Sequence, residues 1–208
     1  MKREEKAQCS RERILAAATE EFGAKSYDSA SLNSICSDNK ISKGLVYHYF
    51  GNKDDLYLCC VRECFKKFTA FLQNEDYDFS DFQRGMNQYM EQRFLFFRSN
   101  PTEGRLFFYT VLQPPRHLMQ QLQELRADFD AQCRDYYRAS LSHLSLREGV
   151  TQESAIQYFS MFQEMFNSYF QRHMAEEDLN SVMQAHEAQL SNLLNLMLYG
   201  IAKEKSPL

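Results

Sequence analysis

Helix-breaking residues are scarce in this chain and fall in few places. Seven glycines and four prolines are spread over 208 residues, and the clear interruptions are Asn100-Pro101, Pro114-Pro115 and Gly149. Between them no sustained alternation of apolar and polar residues supports a strand, while apolar residues recur three and four apart almost everywhere. An all-α fold is therefore expected. Helix starts are signalled at Ser10, which precedes Ile14, Ala18 and Phe22 on one face, and at Ser31, Ser42, Asn52, Ser80, Thr151 and Ser181. After Asn52 the residues Leu56, Cys60, Cys64, Phe68 and Phe71 or Leu72 trace the stripe of a long helix. The last two helices are expected near 152–174 and 180–201.

Composition narrows the class. Hydrophobic residues make up 44% and aromatics 14%, enough for a substantial core. No apolar run approaches the ~18 residues of a membrane span, and no signal-type segment follows the charged opening, so a cytoplasmic protein with no membrane partner is expected. The six cysteines lack the spacing of a disulfide scaffold and are expected to be reduced. Charge divides unevenly: residues 1–53 hold nine Lys and Arg against seven Asp and Glu, and the remainder fifteen against twenty-one. A polyanion is better suited to the amino-terminal end.

The most specific stretch is ISKGLVYHYFGNKDDLY, Ile41 to Tyr57. With Ser42 as cap, Ile41 and Val46 form a hydrophobic staple, and Val46 and Phe50 point inward. That leaves Lys43, Gly44, Tyr47 and His48 outside. Preceded by a short helix capped by Ser31, this is a helix-turn-helix unit, which places its second helix in a DNA major groove. Lys43 can reach a guanine edge or a phosphate, Gly44 permits close approach, and the hydroxyls of Tyr47 and Tyr49 suit phosphates. Lys53 opens the next helix, where free backbone N–H groups favour a phosphate.

The span from about Arg13 to Leu56 resembles the DNA-binding domain of TetR-family transcriptional regulators. The resemblance rests on Ser31-Leu32, on Ser42-Lys43-Gly44-Leu45-Val46-Tyr47-His48-Tyr49-Phe50, and on Lys53-Asp54-Asp55-Leu56. It implies that Lys43, Gly44 and Leu45 meet bases, that Ser31, Tyr47, His48, Tyr49 and Lys53 mostly hold phosphates, and that Asn33 adds a contact from the preceding helix. The family pattern carries glycine after the first helix and in the turn before the recognition helix, where this chain has Ser26 and Lys40. A non-glycine residue held in a left-handed conformation costs on the order of 1 kcal/mol.

The chain is thus expected to divide into a DNA-binding domain, 1–53, and a helical ligand-binding and dimerisation domain, 54–208. Residues 77–109 hold ten aromatic residues and 158–170 six more. Met86, Tyr89, Met90, Arg93, Phe97, Phe108, Phe162 and Phe166 have the makeup of an apolar pocket for a small-molecule effector, with Arg93 able to meet a carboxylate. The last two helices are apolar on more than one side, which calls for burial on both. An isologous homodimer seam of Phe166, Phe170, Leu190, Leu194 and Met197 supplies the second side. The expected function is a repressor released from a palindromic operator by an apolar or aromatic effector. The alternative is a cysteine-based redox or metal sensor on the same DNA-binding domain, using Cys59, Cys60 and Cys64. No Gly-rich phosphate loop, nucleophile elbow or HExxH occurs, so neither an enzyme, a resident metal nor a cofactor is expected.

Overall fold

A computed structural model describes residues 3–173 and 178–199. The described residues form nine α-helices and no strand. They are α1 (Arg3–Ala24), α2 (Leu32–Asp38), α3 (Lys43–Tyr49), α4 (Lys53–Gln73), α5 (Phe82–Ser99), α6 (Pro101–Leu112), α7 (Met119–Leu141), α8 (Gln152–His173) and α9 (Leu179–Tyr199), with a short 3-10 turn, Arg116–Leu118, between α6 and α7. The all-α expectation holds.

Local chemistry explains most boundaries. Ser31 Oγ accepts the Asn33 N–H, Ser42 Oγ the Leu45 N–H, Asn52 Oδ1 the Asp55 N–H and Thr151 Oγ1 the Ser154 N–H, each satisfying an orphan donor of a first turn. Three expected caps differ. Helix α1 starts well before Ser10, whose hydroxyl donates back to the Lys6 carbonyl at 2.9 Å, a mid-helix use of serine. At α5 the cap is Asp81, which accepts the Arg84 N–H at 2.8 Å, while Ser80 is tied to Asp78. At α9 Asp178 accepts the N–H groups of Asn180 and Ser181. In both, a carboxylate took the role expected of a nearby serine, as its charge favours at a helix amino end.

By its contacts the chain forms two compact units. The first joins Met1–Asn74 to Phe96–Cys133, so the unit that contains the three amino-terminal helices extends beyond residue 53. Helix α1 packs on both α6 and α4. Its inward Ile14, Ala18 and Phe22 are fully buried, as are Leu56, Phe68 and Leu72 of α4. A Cβ on Gly23 would stand 2.7 Å from the Thr102 carbonyl oxygen, and the Gly23 carbonyl accepts from Arg105 Nε at 2.9 Å. Glycine there lets two backbones approach. A phenylalanine cluster fills the unit, with the Phe68 ring 4.6 Å from Phe96, 4.8 Å from Phe97 and 5.3 Å from both Phe107 and Phe129.

The second unit joins Glu75–Leu95 to Arg134–Leu208. The rings of Tyr77, Phe79, Tyr89 and Tyr136 meet tilted or T-shaped, with centres 5.1–5.9 Å apart, and Tyr137 stacks on Phe159 at 4.2 Å. Helix α8 buries Phe159, Phe162, Phe166 and Phe170, a single stripe at helical spacing. Within this apolar layer lies a charged bridge: Arg93 Nε and Nη2 donate to Glu187 Oε2 and Oε1 at 2.9 and 2.7 Å. His186 lies between Glu187 and Asn167, at 3.1 and 3.2 Å.

Candidate nucleic-acid interface

The pose of α3 is fixed by how α2 ends. Lys40 takes a left-handed backbone, φ 52°. The Ile41 N–H then reaches the Cys36 carbonyl at 2.9 Å and the Lys40 N–H the Ser37 carbonyl at 3.4 Å, the paired bonds of a Schellman ending. Arg13 of α1 braces this turn by donating to the Asn39 carbonyl at 2.5 Å. The turn keeps its left-handed residue without glycine, and the strain of on the order of 1 kcal/mol falls on Lys40. Ser26 carries none: its φ is not positive, and its carbonyl accepts from Ser29 and Ala30 in an ordinary turn. Ile41, Val46 and Phe50 are buried, which pins both ends of α3.

On its outer face α3 exposes Lys43, Gly44, Tyr47 and His48, with Leu45 and Tyr49 half-buried. A Cβ at Gly44 would meet nothing within 4 Å. No packing among the described residues requires glycine there, although glycine weakens a helix interior by ~1 kcal/mol relative to alanine. The His48 ring edge meets Tyr49 at 5.0 Å. Asn33 is exposed beside this surface on α2, and Ser31 is half-buried, its N–H donating to Glu21 Oε1 at 3.0 Å.

Lys53, the first residue of α4, brings its ammonium 4.3 Å from the centre of the Tyr27 ring. Partial burial lowers its pKa, opposed by the nearby carboxylates of Asp28, Asp54 and Glu21. The Tyr27 hydroxyl donates to Asp54 Oδ1, and burial followed by that bond raises the Tyr27 pKa. The same bond is the main reason the Asp54 carboxyl falls below its usual value. His117 Nε2 lies 3.2 Å from the other Asp54 oxygen. Sequence reasoning missed Tyr27, Asp54 and His117 as a group. An aromatic after α1 and an acid in the first turn of α4 were visible, but nothing local pairs them with a histidine 63 residues on.

The remaining candidates separate. Phe97 and Phe108 sit in the first unit, their rings 5.1 Å apart. Met86, Tyr89, Met90, Arg93, Phe162 and Phe166 lie buried in the second, where the Arg93 guanidinium holds Glu187. Of the expected seam, Phe166, Phe170 and Leu194 are buried within the chain, and Leu190 and Met197 are half-buried. The outward apolar stripe of α8 is instead Tyr158, Met161, Met165 and Tyr169, between 45% and 61% exposed, with Leu196 on α9 at 47%. The two stripes are neighbours on one helix, and period alone does not say which faces inward. Cys60 and Cys64 are buried on the α4 stripe, and burial pushes both thiols up to about 12. They stay protonated and poorly nucleophilic at neutral pH, which disfavours the thiolate sensor.

Comparison with known proteins agrees with this geometry. Residues 14–60 match the family model for bacterial regulatory proteins of the tetR family. Over 71 residues, 34% of this chain, it is 32% identical to the biofilm operon icaADBC HTH-type negative transcriptional regulator IcaR of Staphylococcus epidermidis. Over 46 residues, 22% of the chain, it is 41% identical to the HTH-type transcriptional regulator HbdR of an Aromatoleum species. The matched segments span 38% and 20% of those relatives. The fold is similar over a longer range to the fatty acid degradation regulator FadR from Bacillus halodurans, with TM-score 0.61 and 15% identity over 92% of this chain and 99% of that one. FadR from Bacillus subtilis, solved with stearoyl-CoA, gives TM-score 0.62 and 16% identity over 91% and 98%. Over its helix-turn-helix segment, residues 14–60, this chain is thus similar to bacterial regulatory proteins of the tetR family, and its fold as a whole is similar to that of the two FadR structures.

Proposed function

We propose that the chain is a homodimeric, DNA-binding transcriptional repressor of the cytoplasm, released from a palindromic operator when a small apolar effector binds its carboxyl-terminal region. The observation that carries the DNA reading is the outer face of α3. Lys43, Gly44, Tyr47 and His48 project from a helix pinned by its turn, beside a lysine at the amino end of α4. Lys43, Gly44 and Leu45 read bases, while Ser31, Tyr47, His48, Tyr49 and Lys53 take phosphates and Asn33 adds a contact from α2. Repression rather than activation is supported by the name of IcaR, a negative regulator.

Pairing of two chains is supported by the exposed stripe of Tyr158, Met161, Met165 and Tyr169, four large apolar side chains in a row that water does not favour. A two-fold partner would present the same stripe and hold two α3 helices ~34 to 36 Å apart for successive major grooves. Met86, Tyr89, Met90 and Phe162 are the effector-contacting residues proposed in the second unit. Phe97 and Phe108 are assigned the same role in the first. An apolar ligand gains roughly 25 cal/mol per Å² buried against such side chains, and the stearoyl-CoA bound to the Bacillus subtilis FadR is one chemistry to try. Effector binding acts on DNA by tilting α4, whose amino end carries Lys53, and so changing the separation of the two reading helices.

The test is selection of bound duplexes from a randomised pool, followed by titration. Lys43→Ala should change the selected sequence, whereas Tyr47→Phe should weaken all duplexes alike. Loss of affinity without any change of preference for Lys43→Ala would overturn the base-reading assignment. Met165→Glu should convert the dimer to monomer by light scattering and leave the fold intact. A wild-type chain that is monomeric at micromolar concentration would remove both the seam and the palindrome. For the effector, apolar compounds and long-chain acyl-CoA that stabilise the full chain against heat should weaken operator binding. Stabilisation with operator affinity unchanged would sink the release mechanism.

A further inference from the structure

Lys53 is expected on a phosphate, yet in the free chain it rests over the Tyr27 ring at 4.3 Å. Tyr27 donates its hydroxyl to one oxygen of Asp54, and His117 Nε2 faces the other at 3.2 Å. The Tyr27 ring meets those of His117 and Tyr57 at steep angles, with centres 5.5 and 5.0 Å apart, and the Tyr57 hydroxyl is bound to Thr110 of α6 at 3.1 Å. Three distant stretches of sequence thus converge on one carboxylate: the α1–α2 loop, the amino end of α4, and the 3-10 turn after α6.

The convergence matters because of what Asp54 would otherwise do. A carboxylate at a helix amino end suits the helix dipole but repels a phosphate approaching the same place. With one Asp54 oxygen held by Tyr27 and the other by His117, the Lys53 ammonium stays on the aromatic face. Released from His117, the carboxylate is free to swing toward its neighbour Lys53 and pair with it. That pairing would draw the cation from the DNA.

We propose that Tyr27, Asp54 and His117 form a latch that positions the Lys53 ammonium for a DNA phosphate and ties that position to the 3-10 turn after α6. The inference rests on the DNA-reading function above and concerns positioning residues, since none of the three is itself assigned a DNA contact. Closed, the latch orders the long Lys53 side chain before DNA arrives, so less rotamer freedom is lost on docking. Opened by movement of the turn, it withdraws one cation from each reading head. Displacement of Arg116–Leu118 is thereby reported at the DNA surface without any movement of α3.

The experiment has two arms on the full chain. Without DNA, the Lys53 side-chain methylene protons are followed by NMR, where the Tyr27 ring current should shift them upfield. The shift should vanish in Tyr27→Leu and shrink in His117→Ala, a variant at a side chain 55% exposed that leaves the core untouched. With DNA, a mixed-sequence duplex is titrated over a range of salt. Lys53→Ala should lower the salt slope by ~0.9, and His117→Ala should weaken binding by roughly two- to fivefold, the range of a surface cation–π contact. In a Lys53→Ala background His117→Ala should change nothing. Equal losses in both backgrounds would overturn the positioning role, and an unshifted Lys53 signal, or one indifferent to His117, would overturn the latch. A chain that binds no duplex at any salt would overturn the DNA-reading function, a result distinguishable because the Lys53 signal is read without DNA.

Discussion

Removing the Glu187 carboxylate should be among the most damaging single changes to this fold, and removing its partner as well should restore most of what is lost. Arg93 and Glu187 are 4% and 2% exposed, joined by two hydrogen bonds of 2.9 and 2.7 Å. Burial by itself pushes the Glu187 carboxyl up, but the Arg93 charge, aided by hydrogen bonds from His186 and Arg93, outweighs it and holds the pKa at about 2 against an ordinary 4.5. At roughly 1.4 kcal/mol per unit that shift corresponds to about 3 kcal/mol. The cost of breaking a buried pair, ~3 to 5 kcal/mol, is of the same size. Glu187→Ala leaves a guanidinium in an apolar layer and should lower the thermal midpoint by ~6 to 12 °C for a chain of this length. Arg93→Met with Glu187→Leu leaves no buried charge and should come within about 1 kcal/mol of the wild type. Because the folded pKa is depressed, the contribution is fully present above pH 4.5 and is lost as the pH falls from there toward 2. Glu187→Gln should flatten the pH dependence in that window. Thermal melts at pH 7 and urea unfolding at pH 7 and pH 3, at one protein concentration, measure these outcomes. A Glu187→Ala chain as stable as the wild type, or a double variant as unstable as the single one, would refute the reasoning.

Gly44→Ala should separate folding from DNA contact, raising stability by about 0.5 to 1 kcal/mol while weakening duplex binding, because the new methyl group stands in open space on the reading face. Improved stability with undiminished affinity would remove Gly44 from that surface. Gly23→Ala should destabilise the fold by ~1 to 3 kcal/mol, as its Cβ would meet the Thr102 carbonyl at 2.7 Å, and an unchanged urea midpoint would count against a tight α1–α6 approach. Alkylation of the native chain should spare Cys60 and Cys64, whose thiols are buried and raised to about 12, and label exposed Cys9 first. Rapid labelling of Cys60 by mass spectrometry would reopen the thiolate reading.

What the sequence conveyed well was local. The caps at Ser31, Ser42, Asn52 and Thr151 depend on a side chain and a backbone N–H two or three residues away, and the Ile41–Val46 staple spans one turn, so spacing alone locates them. The serine caps at Ser10, Ser80 and Ser181 went astray because an acid or a preceding helix competed for the same role. A motif describes who is able to cap, and the winner is set by neighbours such as Asp81 and Asp178. Register on α8 is a harder problem. Phe166 and Met165 are adjacent, equally apolar, and satisfy the same helical period. Only the packing of Phe166 and Phe170 on His186 at 4.6 and 5.0 Å decides which of them turns inward.

The two polar clusters were illegible for a related reason. Arg93 and Glu187 are 94 residues apart, and Asp54 and His117 63, so no window along the chain contains either pair. Each cluster also disguises its members. Read singly, Arg93 is a cation available to a ligand and Lys53 a cation available to DNA. In the folded chain the first is fully engaged by a buried carboxylate, while the second rests on an aromatic face where part of it remains exposed to water. The difference decides what each is able to do. A buried bidentate pair gives up its partner only at a cost of several kcal/mol, which suits a fixed element of the core. A half-exposed ammonium on a ring is held by roughly 0.5 to 1 kcal/mol, enough to keep the side chain aimed while its exposed side stays open to a phosphate.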